Sequence, residues 1–232
     1  MTRFRLSTLV ILLATFSACS GSSGDLDENG RPSPQQALTS AEERLTESAS
    51  TRVDFIVTAS GSVEGNLTGS LLLGDDGQAR LSSGGVLRGE EVELLLVSDG
   101  ARMRMTNGID TVEAATPPAL KEALVLGLTR TGVIHNILRL AELLPPDHAE
   151  GRVDSWVRAA DVRREERGNL AFNVQTEGET GEAVILYMAP GTELPGERQQ
   201  TFRFPEGESS VTEIYSAISI GAGVGPSDFT LE

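Results

Sequence analysis

Apolar and polar residues that alternate between closely spaced turn sequences constrain this chain more than any other feature. From Val53 the alternation has a period of two, so that Val53, Phe55 and Val57 share one face of an extended strand. Glycine-containing turn sequences follow at 61, 74–77, 99–100 and 107–108. The pattern predicts a meander of antiparallel hairpins, because short turns join strands that are neighbours in a sheet. The predicted strands cover 53–61, 65–73, 78–83, 91–98 and 101–106, with a longer loop over 84–89.

Three other segments show the spacing of amphipathic helices, at 36–48, 119–126 and 133–144. In the first, Ala37, Leu38, Ala41 and Leu45 lie on one stripe. The third is the most apolar of the three, and Pro145 and Pro146 are expected to end it, because proline cannot continue a helix. Its polar residues are predicted to face water: His135, Asn136, Arg139 and Glu142.

Strand patterning returns in the second half of the chain, over 153–157, 170–175, 183–188, 200–204 and 210–220. Segments such as 71–73, 94–97 and 184–186 are apolar at consecutive positions, which indicates burial on both faces. We therefore expect an α+β fold: a curved antiparallel sheet, an unclosed β half-barrel, with an N-terminal helix and a two-helix lid.

The N-terminus contains the only cysteine of the chain, Cys19. Arg3 and Arg5 precede an apolar run over 6–16 that is too short to span a bilayer. With the small residues before the cysteine, this segment resembles a bacterial lipoprotein signal peptide. The resemblance implies that residues 1–18 are removed and that Cys19 carries a diacylglycerol anchor. An ordinary secretory signal with an incidental cysteine is the alternative.

Residues 19–34 are rich in glycine and serine and predict a flexible tether, with a root-mean-square span of roughly 20–25 Å. Residues 35–232 lack another such break and predict a single domain. We expect this domain to be held on a bacterial membrane in the cell envelope, facing the periplasm or the outside.

Composition and motifs argue against several functions. The formal net charge is −15, and the densest basic run, 163–164, is followed at once by two glutamates, which predicts a solvated turn and no nucleic-acid binding. The two histidines, His135 and His148, lack metal-ligand spacing, and no nucleophile elbow or phosphate-binding loop occurs. We therefore predict no catalytic residue, metal or cofactor, and a protein that is not an enzyme.

The predicted order of elements over 36–232 resembles that of the LolA/LolB-like carriers and the LppX/LprG group, which are bacterial lipoprotein and lipid carriers. The resemblance implies a half-barrel, lidded by helices, that holds acyl chains without covalent chemistry. LolB also has an exposed apolar residue on an early loop, and the resemblance implies that Val86 and Leu87, in the predicted loop over 84–89, correspond to it. The resemblance thus predicts that these two side chains contact the membrane.

An acyl-binding cavity would be walled by one face of the meander and the inner stripe of the lid helices. Aliphatic side chains suit such a wall, because they adapt to chains of differing shape. The candidate residues are Phe55, Val57, Leu94, Leu96, Met103, Met105, Leu120, Leu124, Val133, Ile137, Leu138, Leu144, Phe172, Val174, Leu186, Phe202 and Phe204. The alternative is that they fill one another as a dry core.

Two functions follow from these readings. In the first, an anchored lipoprotein binds a lipid or the acyl group of a protein and aids its transport or localisation. In the second, an anchored, non-enzymatic lipoprotein with a filled core serves interaction or assembly with an unidentified envelope protein.

Overall fold

The computed structural model describes Leu26 and residues 30–144, 157–165, 168–176, 179–204 and 207–231. Cys19 and the predicted signal peptide lie outside the described residues, as do most of the predicted tether, His148 and the side chain of Phe204.

Eleven strands of the described chain form one antiparallel sheet in the order β6-β5-β4-β3-β2-β1-β11-β10-β9-β8-β7. The first six strands run outward from β1 as a meander, and the last five return so that β11 pairs with β1 at the centre. Strands β6 and β7 form the two opposite edges of the sheet and do not pair with each other, so the sheet is not closed. The predicted half-barrel of the α+β class is therefore confirmed. The strands are β1 Thr51–Gly61, β2 Gly65–Leu73, β3 Gln78–Leu87, β4 Glu90–Asp99, β5 Arg102–Thr106, β6 Thr111–Ala115, β7 Arg158–Arg164, β8 Leu170–Thr176, β9 Glu179–Met188, β10 Pro195–Phe204 and β11 Gly207–Ile220.

The three predicted helices are present, although some of their ends differ from the prediction: α1 Pro34–Thr46, α2 Leu120–Leu126 and α3 Val133–Ala141. The side chain of Ser33 caps α1 by accepting the N–H of Gln36 at 3.2 Å. A π-helical turn, Gly127–Thr131, continues α2. Helix α3 ends before its predicted boundary, and Leu143 just beyond it has a φ of 51°. A 3₁₀ turn, Pro226–Phe229, follows β11.

The prediction of a longer loop over 84–89 is wrong. Strand β3 continues to Leu87, β4 begins at Glu90, and only Arg88 and Gly89 join them, with φ values of 54° and 82°. Positive φ at both turn residues is typical of a type I′ hairpin, which matches the strand twist. Of the glycines that suggested a loop, Gly85 serves strand packing instead, because a side chain on it would collide with the backbone oxygen of Asn66 on β2.

Both edges of the sheet escaped prediction from the sequence. All five residues of β6 are exposed, so it has no apolar alternation. At the other edge, β7 contains Arg163 and Arg164, and the predicted turn there is wrong. The predicted strand over 153–157 falls on undescribed residues except for Val157, which is buried.

The apolar side chains form two clusters. In the main cluster, α2, α3 and the π-helical turn cover the concave face of β1–β5. The second cluster is smaller and joins Leu38 of α1 to the inner face of β8 and β9.

Candidate functional site

The predicted wall residues are mostly buried, but they are divided between the two clusters. Leu138 and Phe202 are half-buried at the margin of the main cluster, and Leu144 is 37% exposed. Their use as a lipid-binding surface stays a prediction. The main cluster contains Phe55, Val57, Leu94, Leu96, Met103, Met105, Leu120, Leu124, Val133 and Ile137. The second cluster contains Phe172, Val174 and Leu186.

Helix α3 is buried on more of its surface than its sequence pattern predicts. His135, Asn136 and Arg139 are half-buried, and only Glu142 of the four predicted water-facing residues is exposed. Asn136 lies so close to Gly127 that a side chain on this glycine would overlap the Asn136 amide. The helix is therefore packed on both its apolar side and part of its polar side.

A buried carboxylate on the sheet caps α3. Glu213 of β11 is completely buried and accepts the N–H groups of Val133 and Ile134 over 2.8 and 2.9 Å. It also accepts the hydroxyl of Tyr215 at 2.6 Å. A carboxylate at this position satisfies unpaired N–H groups and complements the positive end of the helix dipole. The start of the lid helix is thus held to the sheet by charge-assisted hydrogen bonds.

Arg198 of β10 and Tyr215 of β11 attach the π-helical turn that precedes α3 to the sheet. The buried guanidinium of Arg198 donates from Nη2 to the carbonyl of Arg130 at 2.6 Å and to the side chain of Gln200. The hydroxyl of Tyr215 also contacts the carbonyl of Leu128 at 2.7 Å. Burial lowers the pKa of Arg198, while nearby Glu213 opposes that change.

Sequence reasoning missed this polar network, although a signal for it is present. Glu213 stands between Val211 and Tyr215 at an inward position of β11, and Arg198 occupies an inward position of β10. A charged residue on the apolar face of a strand indicates a buried polar partner. The partners of Glu213 on α3 could not be read from the pattern, because Val133 and Ile134 lie about 80 positions away.

A groove opens beside α3, between the β3–β4 hairpin and the turn that joins β5 to β6. It has a volume of about 760 Å³, within the range of ligand pockets. Its apolar lining comprises Val86, Leu87, Val92, Leu94, Ile109, Leu138 and Ala141. Its charged lining comprises Arg88, Glu90, Glu91, Glu93 and Glu142.

The two predicted membrane-contact residues border this groove from opposite faces of β3. Val86 is 41% exposed, whereas Leu87 is buried in the main cluster. Membrane contact stays a prediction, and in this structure only Val86 presents an exposed surface for it.

Membrane-spanning helices and metal clusters are both absent from the described part of the chain. None of its helices is both long and apolar enough to cross a membrane. Within the same residues, no group of three or more His, Cys, Asp or Glu side chains is placed to hold a metal ion.

Comparison with known proteins gives fold neighbours only. No family model matches the sequence, and no curated protein matches it. MucB of Pseudomonas aeruginosa, solved with MucA, is 15% identical with a TM-score of 0.39, and the match covers 86% of this chain and 61% of MucB. This chain therefore spans about three fifths of the MucB chain.

Two smaller proteins match over nearly their whole length. LprF from Mycobacterium bovis is 15% identical with a TM-score of 0.36, over 83% of this chain and 97% of LprF. A LolA superfamily protein from Nitrosomonas europaea is 8% identical with a TM-score of 0.39, over 85% of this chain and 97% of that protein. The structural neighbours thus include both groups that the sequence resembles, and the likeness concerns the fold alone.

Proposed function

We propose that this chain is a lipid-anchored lipoprotein of the cell envelope that binds an acyl chain of a lipid or of an acylated protein and aids its transport or localisation. The observation that carries the proposal is the continuity between the groove and the main cluster. Leu87 and Leu94 line the groove and also belong to that cluster, and Leu138 packs against it from α3. An acyl chain that enters the groove therefore meets apolar side chains along its path inward.

The energetic gain from such binding would act against the cost of rearranging the lid. Each methylene removed from water contributes roughly 0.8 kcal/mol, so that a dozen carbons contribute on the order of 10 kcal/mol before ordering costs. The interior beneath α3 is filled by side chains such as Ile137 and Met105, both at most 1% exposed. The acyl chain must therefore displace α3 or repack the side chains beneath it.

Lipid binding can be tested with the full chain carrying Cys19→Ser, so that no anchor lipid interferes. Native mass spectrometry with lipid extraction should detect a lipid that copurifies with the protein. Leu138→Arg places a charge at the groove and should abolish copurification, whereas Glu122→Arg on the exposed side of α2 is the matched control. A bare protein mass, also after incubation with acylated lipids, would refute the proposed acyl site.

The filled interior specifically favours a second function, that of an anchored scaffold for an envelope protein. Under this alternative, the main cluster is a permanent core and the exposed surfaces carry the function. Crosslinking in intact cells should then capture a partner at Val86 or elsewhere on the β3–β4 hairpin, while the protein mass stays free of lipid.

The anchor itself is a separate claim with its own measurement. Cells supplied with an alkyne analogue of palmitate should label the chain, and Cys19→Ser should remove the label. A label that persists in the variant would show that the acyl group is attached elsewhere.

A further inference from the structure

The groove beside α3 has walls that are held against one another. The Asn107 amide donates from Nδ2 to the carbonyl of Ala141 at 3.0 Å, which fixes the turn between β5 and β6 to the end of α3. The same turn also packs against β4, because a Cβ on Gly108 would lie 3.5 Å from the backbone oxygen of Glu93. A ligand in the groove therefore meets side chains and not an open strand edge.

The side chains that line the groove differ in chemistry between its floor and its rim. The floor is buried in the main cluster or packs against it, and consists of Leu87, Val92, Leu94 and Leu138. The rim consists of four exposed glutamates, Glu90, Glu91, Glu93 and Glu142. An acyl chain on the floor thus places whatever is attached to it beside carboxylates.

The groove lining is more acidic than the chain as a whole. The sequence has 34 acidic and 19 basic residues, whereas the lining has four glutamates and a single basic residue, Arg88. Within the described part of the chain, none of these four carboxylates takes part in an ion pair or a side-chain hydrogen bond. They are therefore available to positive charges that a ligand brings.

The negative charge is spread over two elements of the groove. Glu91 and Glu93 are two positions apart on one face of β4, a separation of roughly 6.6 Å along the strand. Glu142 follows Ala141 at the end of α3, where the negative end of the helix dipole also favours cations. Carboxylates distributed in this way match several positive charges better than a single one.

We infer that the ligand of this groove is an acylated polypeptide segment in which the residues next to the acyl group include several lysines or arginines. The inference rests on the proposed function, because the acyl chain binds the floor. The basic side chains lie along the rim, beside the glutamates. A phosphate or carboxylate at the same place would meet like charge, so the rim discriminates among acyl ligands by the charge of the attached group.

The test compares two lauroyl peptides, lauroyl-Lys-Ser-Lys-Ser-Lys-amide and lauroyl-Glu-Ser-Glu-Ser-Glu-amide, which carry the same rhodamine label. Each is titrated with the full chain carrying Cys19→Ser while fluorescence anisotropy is recorded. The basic peptide should bind at least about tenfold more tightly, because several exposed ion pairs each contribute a little. Added salt should reduce this difference, since it screens charges at the rim.

Two further probes separate the parts of the ligand. The same basic peptide without its lauroyl group should bind at least about tenfold more weakly, because it gains nothing from the floor. A lauroyl amide with a single ammonium group, which represents a cationic lipid, should also bind more weakly than the basic peptide.

Protein variants locate the charge effect at the rim. Joint replacement by Glu91→Gln, Glu93→Gln and Glu142→Gln should weaken the basic lauroyl peptide about tenfold. The matched control combines Glu43→Gln, Glu47→Gln and Glu122→Gln, which change the net charge equally at exposed positions outside the groove. The control should leave binding unchanged, and circular dichroism confirms that both variants are folded.

The outcomes distinguish this inference from the proposed function. Equal affinities for the basic and acidic lauroyl peptides would overturn the inference and leave the acyl site standing. Equal binding of the unacylated peptide, or of the single-ammonium probe, would overturn the assignment to an acylated basic polypeptide. If neither lauroyl peptide binds while lipid copurifies with the protein, the inference alone fails. If neither binds and the protein mass stays bare, the proposed acyl site fails with it.

Discussion

Arg130 holds the carboxylate of Glu42 in a bidentate contact, with Nε donating to Oε1 over 2.7 Å and Nη2 donating to Oε2 over 2.6 Å. Both side chains are at most 10% exposed. The hydroxyl of Thr129 also donates to this carboxylate, at 2.9 Å, and Nη1 of Arg130 donates to the carbonyl of Val157 at 2.6 Å. One buried ion pair therefore joins α1, the π-helical turn and the residue before β7.

Loss of one partner in this pair should strongly destabilise the fold. Glu42→Leu leaves the Arg130 guanidinium buried without its counter-charge, and we expect the free energy of unfolding to fall by about 3–5 kcal/mol. Urea denaturation followed by circular dichroism measures the change. Because the desolvation penalty disappears when both charges are removed, Glu42→Leu combined with Arg130→Met should recover most of the loss.

The exposed pair of Arg52 and Asp54, whose side chains approach to 3.0 Å, provides the matched control. Asp54→Ala should cost at most about 1 kcal/mol, because water already solvates both charges. Equal costs for Glu42→Leu and Asp54→Ala would contradict a structural role for the buried pair.

The local sequence pattern was sufficient to predict the central strands of the sheet but not its edge strands. The alternation from Val53 predicts β1 because one face of that strand is buried in the core. Strand β6 has no buried face, so its sequence contains no period of two. Gly85 led to the wrong prediction of a loop for a different reason, since close strand packing and loops both select glycine.

The candidate site, too, could be predicted only in part from the sequence. Apolar residues such as Phe55 and Ile137 could be assigned to the interior from their spacing, because burial is a property of one helix or strand face. The cap that Glu213 places on α3 depends on two segments about 80 residues apart. The groove lies where β5 stops pairing with β4, at Leu95 opposite Thr106, and the end of a strand pairing depends on both strands.

Tyr215 should make stability depend on alkaline pH. Burial and the adjacent Glu213 carboxylate raise its pKa well above 10.0, whereas the phenol of the unfolded chain ionises near that value. The contribution of the neutral phenol is therefore complete below about pH 10 and is lost as the pH rises toward the pKa of the folded state. Urea unfolding at pH 8 and pH 11 measures this loss.

Tyr215→Phe removes the hydroxyl, and with it the part of the stability loss at alkaline pH that comes from ionisation of Tyr215. At pH 8 the variant should be less stable by about 1.5–3 kcal/mol, because Glu213 loses a hydrogen-bond donor. Tyr187→Phe is the control, since the Tyr187 hydroxyl is half-buried and contacts Gln199 at 3.3 Å. If both variants lose stability between pH 8 and pH 11 as the parent does, the assignment to Tyr215 is wrong.

The C-terminal 3₁₀ turn should stabilise the sheet through Phe229. This residue is 1% exposed, and its turn packs against β3 and β4. Phe229→Ala should cost about 3–5 kcal/mol, through lost burial and the cavity that remains. For a chain of this size the melting temperature should then fall by about 6–20 °C. Ser227→Ala, at an exposed position of the same turn, should leave it nearly unchanged, and similar melting temperatures for the two variants would contradict the packing role.

Gly132 should tolerate no side chain, because it separates the π-helical turn from α3 at a φ of 90°. A Cβ there would lie 2.5 Å from both Nη1 of Arg198 and Oε1 of Glu213. Gly132→Ala therefore combines backbone strain, about 1–3 kcal/mol, with displacement of the Glu213 carboxylate from the start of α3. Gly191→Ala is the matched control, since Gly191 has a φ of 76° with open space around it. Urea unfolding should show a cost for Gly132→Ala that exceeds the control by at least about 1 kcal/mol, the price of a lost buried hydrogen bond. Equal costs would mean that the carboxylate and guanidinium can move aside without weakening the lid.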